Sequence, residues 1–258
     1  VPKYHQIYLV LREQLHEGRF ADGVPGEIAL MHEFGVARVT VRKALERLAA
    51  ERLIQRTPGR GTVPLPQSAR PAPPLGSESA DGERVGRWFE KLCDAATGAS
   101  VNVLSVQVLP CPRSVAEPLG IAPGAPVQKA QRVRVVREGP LSHITTFVPK
   151  ALAPFGRREL ARRPILVLME EAGTSIGRAT QSVSARLADA EVAQHLDVAV
   201  GSALLSVQRL VFDRRGRPVQ WLLGLYRPDR YGYRMELPRV GGVDAKVWVS
   251  HAHAAAIQ

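Results

Sequence analysis

Between Thr62 and Ser77 the chain reads Thr-Val-Pro-Leu-Pro-Gln-Ser-Ala-Arg-Pro-Ala-Pro-Pro-Leu-Gly-Ser. No other stretch restricts the fold as strongly. Each proline lacks a backbone donor and fixes its own φ, so neither a helix interior nor a central strand can run through the segment. It favours extended, semi-rigid chain. The 258 residues therefore divide into a short N-terminal part, 1–63, and a longer part, 81–245, with a linker over 64–80 and a flexible tail over 246–258. Two domains also suit the length.

The N-terminal part reads as helical. Ile7, Leu11 and Leu15 recur every fourth residue and Gly18 supplies a stop. A second helix is predicted from Glu27 to Phe34, closed by Gly35, and a third from Ala37 or Arg38. In the third, Val41, Ala44, Leu45 and Leu48 form one apolar face. Leu53–Arg56 and Thr62–Val63 are short strand candidates joined by the turn residues Thr57–Gly61. Three helices and a two-stranded wing make a winged helix-turn-helix.

The longer part is strand-rich. Strands are expected over 101–109, 127–136, 143–148, 204–212 and 219–226, with a hairpin turn at Arg214–Arg217. Helices are expected over 85–97, 112–120, 163–172 and 188–197. Hairpin-linked strands with few helices predict an antiparallel sheet, and an α+β fold class overall.

Composition narrows the function. Hydrophobic residues are 45% and charged residues 23%, which excludes a wholly disordered chain. No apolar run reaches the roughly 20 residues of a membrane helix. Two cysteines, Cys93 and Cys111, exclude a disulfide scaffold and fit a reducing compartment. The amphipathic start is unlike a signal peptide, so a cytoplasmic protein is expected. The histidines at 5, 16, 32, 143, 195, 251 and 253 show no metal-ligand spacing with either cysteine, and no metal or cofactor is expected. His251-Ala252-His253 is at most a weak metal lure. No nucleophile elbow, phosphate-binding loop or dinucleotide fingerprint occurs, so an enzyme is not expected.

The net charge of +11 is unevenly spread. Residues 1–63 carry ten basic and seven acidic groups, and residues 129–163 carry nine and two. In a winged helix-turn-helix the recognition helix enters the major groove N-terminus first. That end here is Val36-Ala37-Arg38-Val39-Thr40-Val41-Arg42-Lys43. Arg38 and Arg42 share a helix face, and a guanidinium grips guanine or phosphate with two bonds. Thr40 and Lys43 add polar reach, and Arg60 beside Gly61 sits at the wing tip. A solvated basic face is the alternative reading of these residues.

Residues 2–63 resemble the DNA-binding domain of the GntR family of bacterial regulators. The resemblance lies in Pro2–Ile7, Glu33–Leu45 and Gly59–Thr62. It implies operator contacts by Arg38, Thr40, Arg42 and Lys43 and by the wing at Arg60 and Gly61. One departure is Pro25-Gly26-Glu27-Ile28, where the family usually shows Pro-Ser-Glu-Arg. The absent arginine is one that often reads DNA.

The second part, over roughly 84–240, resembles the UTRA effector domain of HutC-type regulators, whose fold is similar to chorismate lyase. The matching pieces are Gln131–Arg134, Glu138–Pro140, Phe147–Pro149, Ala190–Leu196 with Gly201, Phe212-Asp213, Gly216–Val219 and Tyr226–Tyr231. The resemblance implies a ligand-responsive regulator, most simply a repressor, acting as a homodimer on double-stranded operator DNA. Arg132 and Arg134, two apart on one strand, face one side and suit a carboxylate or phosphate. Thr145, Thr146, Arg178 and Tyr226 complete the expected effector site, and surface charge or core packing is their alternative role. The serine and tyrosine of sugar-phosphate sensors are absent, which favours a carboxylate or other anion. The competing readings are a lyase-like enzyme fused to a DNA-binding domain, and a DNA-binding module without ligand.

Overall fold

A computed structural model describes residues 2–16, 18–20, 23–57, 61–65, 100–236, 239–240, 247–248 and 251–256. The expected helix over 85–97, most of the linker and the wing-tip Arg60 lie outside these residues. The chain forms two compact units. One gathers residues up to 78 together with Ser184–Leu204, and the other holds 79–183 and 205–258.

In the first unit, α1 (Lys3–His16), α2 (Glu27–Phe34) and α3 (Arg38–Ala50) precede β1 (Ile54–Thr57) and β2 (Gly61–Pro64). Gly35 closes α2 in the left-handed region at φ 58°, where a side chain is disfavoured. The apolar faces read from the sequence close on each other: Ile7, Leu11 and Leu15 meet Val41, Ala44, Leu45 and Leu48 in one buried cluster. Tyr8 ties α1 to the end of α3 by donating its hydroxyl to Glu51 at 2.6 and 2.8 Å. Burial, then this bond, pushes the Tyr8 phenol upward. The wing is antiparallel, pairing Ile54 with Pro64 and Thr57 with Gly61.

The segment Ser184–Leu204 belongs to the same unit and carries α7 (Ala190–Leu196). Leu187, Ala190 and Val200 pack on the helical core. Arg19 donates to Asp189 at 2.8 Å, and Glu13 accepts the Leu187 amide at 2.9 Å. Asp189 also caps α7 by accepting from the Val192 amide at 2.9 Å.

The second unit is a six-stranded sheet in the order β3-β4-β5-β8-β7-β6. Its strands are β3 (Ser100–Pro110), β4 (Pro126–Val136), β5 (Gly139–Pro149), β6 (Ile176–Leu187), β7 (Ala203–Asp213) and β8 (Pro218–Tyr226). Five of these are legible in the sequence, and the Arg214–Arg217 turn joins β7 to β8 as expected. The edge strand β6 is not. Its run Ile-Gly-Arg-Ala-Thr-Gln-Ser-Val-Ser-Ala-Arg-Leu lacks apolar alternation, because an edge strand open to water needs little of it.

The helices are α4 (Arg113–Leu119), α5 (Arg157–Arg162) and α6 (Ile165–Glu171). One sheet face packs α5 and α6 through Leu160, Ile165, Leu166 and Met169 against Ala130, Val148 and Val211. Val115 and Leu119 of α4 pack with Val127 and Phe147, which project from the opposite face. A bulge in β3 between Val103 and Ser105 is stabilised by Arg157, which donates to the Val103 and Leu104 carbonyls at 2.5 and 2.6 Å. Arg227 pairs with Asp229 at 2.8 Å, as a structural ion pair. The segment read as a flexible tail contains a strand: β12 (His251–Ala256) pairs antiparallel with β9 (Tyr231–Glu236). Backbone pairing supplies that order, which an Ala-rich composition does not announce. Two-residue strands β10 (Arg239–Val240) and β11 (Val247–Trp248) also pair.

Candidate DNA interface and anion site

The start of α3 has no side-chain cap, since Ala37 stands at the N-cap. Its outward residues are Arg38, Val39, Arg42 and Lys43, all exposed, with Thr40 half-buried. Arg38 lies beside Glu27 at the start of α2. Glu27 accepts from Arg38 Nε at 2.8 Å through Oε2 and from Arg56 of β1 at 2.5 Å through Oε1. One carboxylate thereby draws together the starts of α2 and α3 and the base of the wing. The Arg38 bond, aided by Arg56 and opposed by burial, holds the Glu27 carboxyl below the usual carboxylate range. Arg42 stands 3.7 Å from Glu46, a loose pair one turn along the helix. Lys43 sits 4.3 Å over the Tyr4 ring. Gly61 opens β2 at φ 85°, and a Cβ there would meet open space. The residues expected to touch DNA thus lie on one connected surface wherever they are described. Sequence reasoning missed Glu27, whose partners lie 11 and 29 residues away.

The sheet face covered by α5 and α6 also carries the second site. Residues directly opposite in a ladder point the same way. Arg134 is opposite Ser142, Ser142 opposite Tyr226, and Tyr226 opposite Leu205. The next row runs Arg132, Ile144, Gly224 and Val207. Arg132 and Arg134 therefore share a face with Ser142 and Tyr226, as their spacing predicts.

Arg132 is only 7% exposed. Its Nε has no hydrogen-bond partner, and no carboxylate pairs with it, among the described residues. Burial, then repulsion from Arg134, lowers its pKa to about 10, with Tyr226 opposing. Ser142 is fully buried, and its hydroxyl also lacks a partner among the described residues. A Cβ on Gly224 would come within 2.6 Å of the Tyr226 ring, so glycine gives that ring room over the Arg132 row. Tyr226 is buried and stacks on Tyr231 at 4.1 Å.

The remaining expected residues separate. Thr146 is opposite Ala130, on the arginine face, fully buried and donating to the Ala130 carbonyl at 3.4 Å. Thr145 is opposite Gln131 and points to the other face, because adjacent strand residues alternate. It cannot line one pocket with Arg132. Arg178 is on β6, exposed, with its guanidinium 3.7 Å from the Phe212 ring centre, a cation–π contact. Sequence reasoning missed Ser142. The two-residue turn Arg137-Glu138 by itself would put Leu141 opposite Arg134; a bulge between Arg134 and Val135 shifts Ser142 there instead, and no turn residue announces it.

Chemically, a buried guanidinium without a carboxylate among the described residues, beside a second arginine and a hydroxyl with no partner there, has the charge and the open donors to accept an anion.

Comparisons with known proteins match two stretches of the chain. Residues 3–63 match the family described as bacterial regulatory proteins, gntR family, and residues 97–232 match the UTRA domain. The HTH-type transcriptional regulator Rv0792c of Mycobacterium tuberculosis is 29% identical over 93% of this chain and 87% of its own. The mannosyl-D-glycerate transport/metabolism system repressor MngR of Escherichia coli is 26% identical over 91% and 95%. The HTH-type transcriptional repressor NagR of Bacillus subtilis is 27% identical over 90% and 93%. Among solved structures, a transcriptional regulator from Streptomyces coelicolor aligns with TM-score 0.51 and 30% identity, over 52% of this chain and 89% of that one. The ligand-binding domain of a GntR-family regulator from Bordetella bronchiseptica aligns with TM-score 0.51 and 28% identity, over 54% and 92%. No described helix is long and apolar enough to cross a membrane.

Proposed function

The chain belongs to the GntR family, with a UTRA domain behind its DNA-binding part, and from that premise we propose a repressor whose operator affinity changes when a small anion binds at Arg132 and Arg134. It is a transcription regulator that binds DNA through the winged helix. The finer assignments are ours: a cytoplasmic homodimer reading a pseudo-palindrome, with Arg38, Thr40, Arg42, Lys43 and the wing at Arg60 and Gly61 on the operator. The effector domain spans 81–245.

The observation that carries the effector reading is the burial of Arg132 without a carboxylate. Burying a charge costs free energy unless a partner offsets it. An anion entering beside Arg132 and Arg134 supplies that partner and fills the open valence of Ser142. A carboxylate is favoured over a phosphate because the serine and tyrosine of sugar-phosphate sensors are absent before Pro164. Regulation requires that the ligand prefer one arrangement of the DNA-binding units over another, since equal affinity shifts nothing.

The test is a thermal-shift screen of the full chain against carboxylates, amino-acid catabolites and sugar phosphates, followed by operator titration. A true effector at 100 times its dissociation constant stabilises the protein by about 2.7 kcal/mol. Arg134→Ala is expected to abolish that shift and the change in operator affinity together. A panel without any stabilising anion would return Arg132 and Arg134 to structural roles and favour a DNA-binding module without ligand. Turnover of an aromatic carboxylate would instead support the lyase-like reading.

A further inference from the structure

Among the described residues, the two most exposed large apolar side chains are Val39, 72% exposed, and Ile28, 67% exposed. Each is the second residue of its helix, Val39 in α3 and Ile28 in α2. Neither belongs to the helical core, which takes Leu30 and Phe34 from α2 and Val41, Ala44, Leu45 and Leu48 from α3. Both adjoin the Glu27 bridge, because Glu27 precedes Ile28 and its partner Arg38 precedes Val39. Along α3, Val39 is followed on the same face by Arg42, Lys43 and Glu46, at spacings of three, four and seven. Two aliphatic groups thus stand in water beside the exposed cations Arg38, Arg42 and Lys43.

The surrounding cations fix the sign of the partner's charge, and the aliphatic tips require an apolar atom on it. In the DNA major groove each base edge offers donors and acceptors, and the one apolar group is the thymine 5-methyl. We infer that Val39 and Ile28 read thymine methyl groups beside the positions gripped by Arg38 and Arg42, so that each operator half-site carries a thymine opposite each of these side chains. The inference rests on the DNA-binding reading and deepens it. It assigns part of the sequence selectivity to two apolar residues, where the arginines supply grip and orientation.

The experiment selects duplexes from a random pool with the full chain, then resynthesises the enriched duplex with uracil in place of each thymine in turn. Uracil keeps the pairing and removes only the methyl. Losing one buried methyl weakens binding about fourfold, and losing it in both half-sites of a dimer about fifteenfold. Val39→Ala is expected to erase the uracil penalty at one position, and Ile28→Ala at the other, with unchanged melting temperatures because both side chains are exposed. If no thymine is sensitive, or if the penalties persist unchanged in both variants, the inference is overturned and the two are ordinary surface residues. If no duplex is enriched at all, the DNA-binding reading fails, and the inference falls with it.

Discussion

Arg38 and Arg56 of the winged helix share the carboxylate of Glu27 at 2.8 and 2.5 Å, whereas Arg132 of the sheet is buried and has no carboxylate among the described residues. The first pair is partly neutralised in advance, one carboxylate against two guanidiniums, and both arginines reach water. Such exposed pairs contribute little to stability, about 0–1 kcal/mol each, and can exchange Glu27 for a phosphate or a base edge at small cost. Arg132 is the reverse. Its charge is maintained against burial, and the folded state carries a penalty until an anion arrives. One arrangement suits a surface that samples many DNA sequences. The other suits a site that responds strongly to one class of small molecule.

The sharpest way to break the comparison is Arg132→Met. The drop in pKa from the ordinary guanidinium value to about 10 corresponds to roughly 3 kcal/mol of unfavourable charging. The variant is expected to be more stable than the ligand-free parent by up to that amount, read as a higher urea midpoint, and to lose anion-induced stabilisation. A less stable variant would mean that Arg132 is already satisfied. Arg42→Ala comes next. It is expected to weaken operator binding by about 1–3 kcal/mol if it reads a base, and titration against salt reports whether a phosphate contact was lost instead. A loss of only a few tenths would remove Arg42 from the interface.

The sign of the pH effect separates the two sites further. Arg132 has a lowered folded pKa, so the unfolded chain holds its proton more tightly between about 10 and the ordinary guanidinium value. Its charging penalty is present below that window and fades as pH rises through it, so the stability gap between parent and Arg132→Met narrows there. Glu27 is also lowered, but it is an acid. Its ion-pair contribution is present above the ordinary carboxylate range and disappears as pH falls through the lowered value. Urea titrations at stepped pH follow both trends. The smallest expected effect is that of Glu27→Gln. Freeing Arg38 and Arg56 is expected to raise binding to random DNA while lowering the ratio of operator to random affinity severalfold, measured by competition. An unchanged ratio would show that Glu27 orients nothing.

The winged helix was legible because local patterns specify it. Ile7, Leu11 and Leu15, and Val41, Ala44, Leu45 and Leu48, are buried where the helical period placed them, and Gly35 and the paired wing strands fall where turn chemistry put them. The shared face of Arg132 and Arg134 was legible from the strand period of two. The same period excludes Thr145 and Thr146 as neighbours on one face, a consequence the sequence held and the expected site overlooked. The burial of Arg132 was not legible, since nothing in Gln131–Arg134 distinguishes a solvated strand from one covered by α5 and α6. The Glu27 bridge and the fully buried Ser142 depend on pairings across the chain that no local pattern encodes.

The α7 segment bears on how such chains can be recombined. Leu187, Ala190 and Val200 pack on the helical core, and Arg19 and Glu13 hold Asp189 and the Leu187 amide. That surface is encoded more than a hundred residues after the helices it completes. A chimera spliced within the proline-rich stretch would keep α1, α2, α3 and the wing and still inherit a foreign version of the wall that α7 supplies. Inheritance of this unit is therefore discontinuous. Exchange of effector domains between relatives should succeed where the donor's counterpart of Leu187–Val200 matches the recipient's Glu13 and Arg19, and should yield a poorly packed reader where it does not.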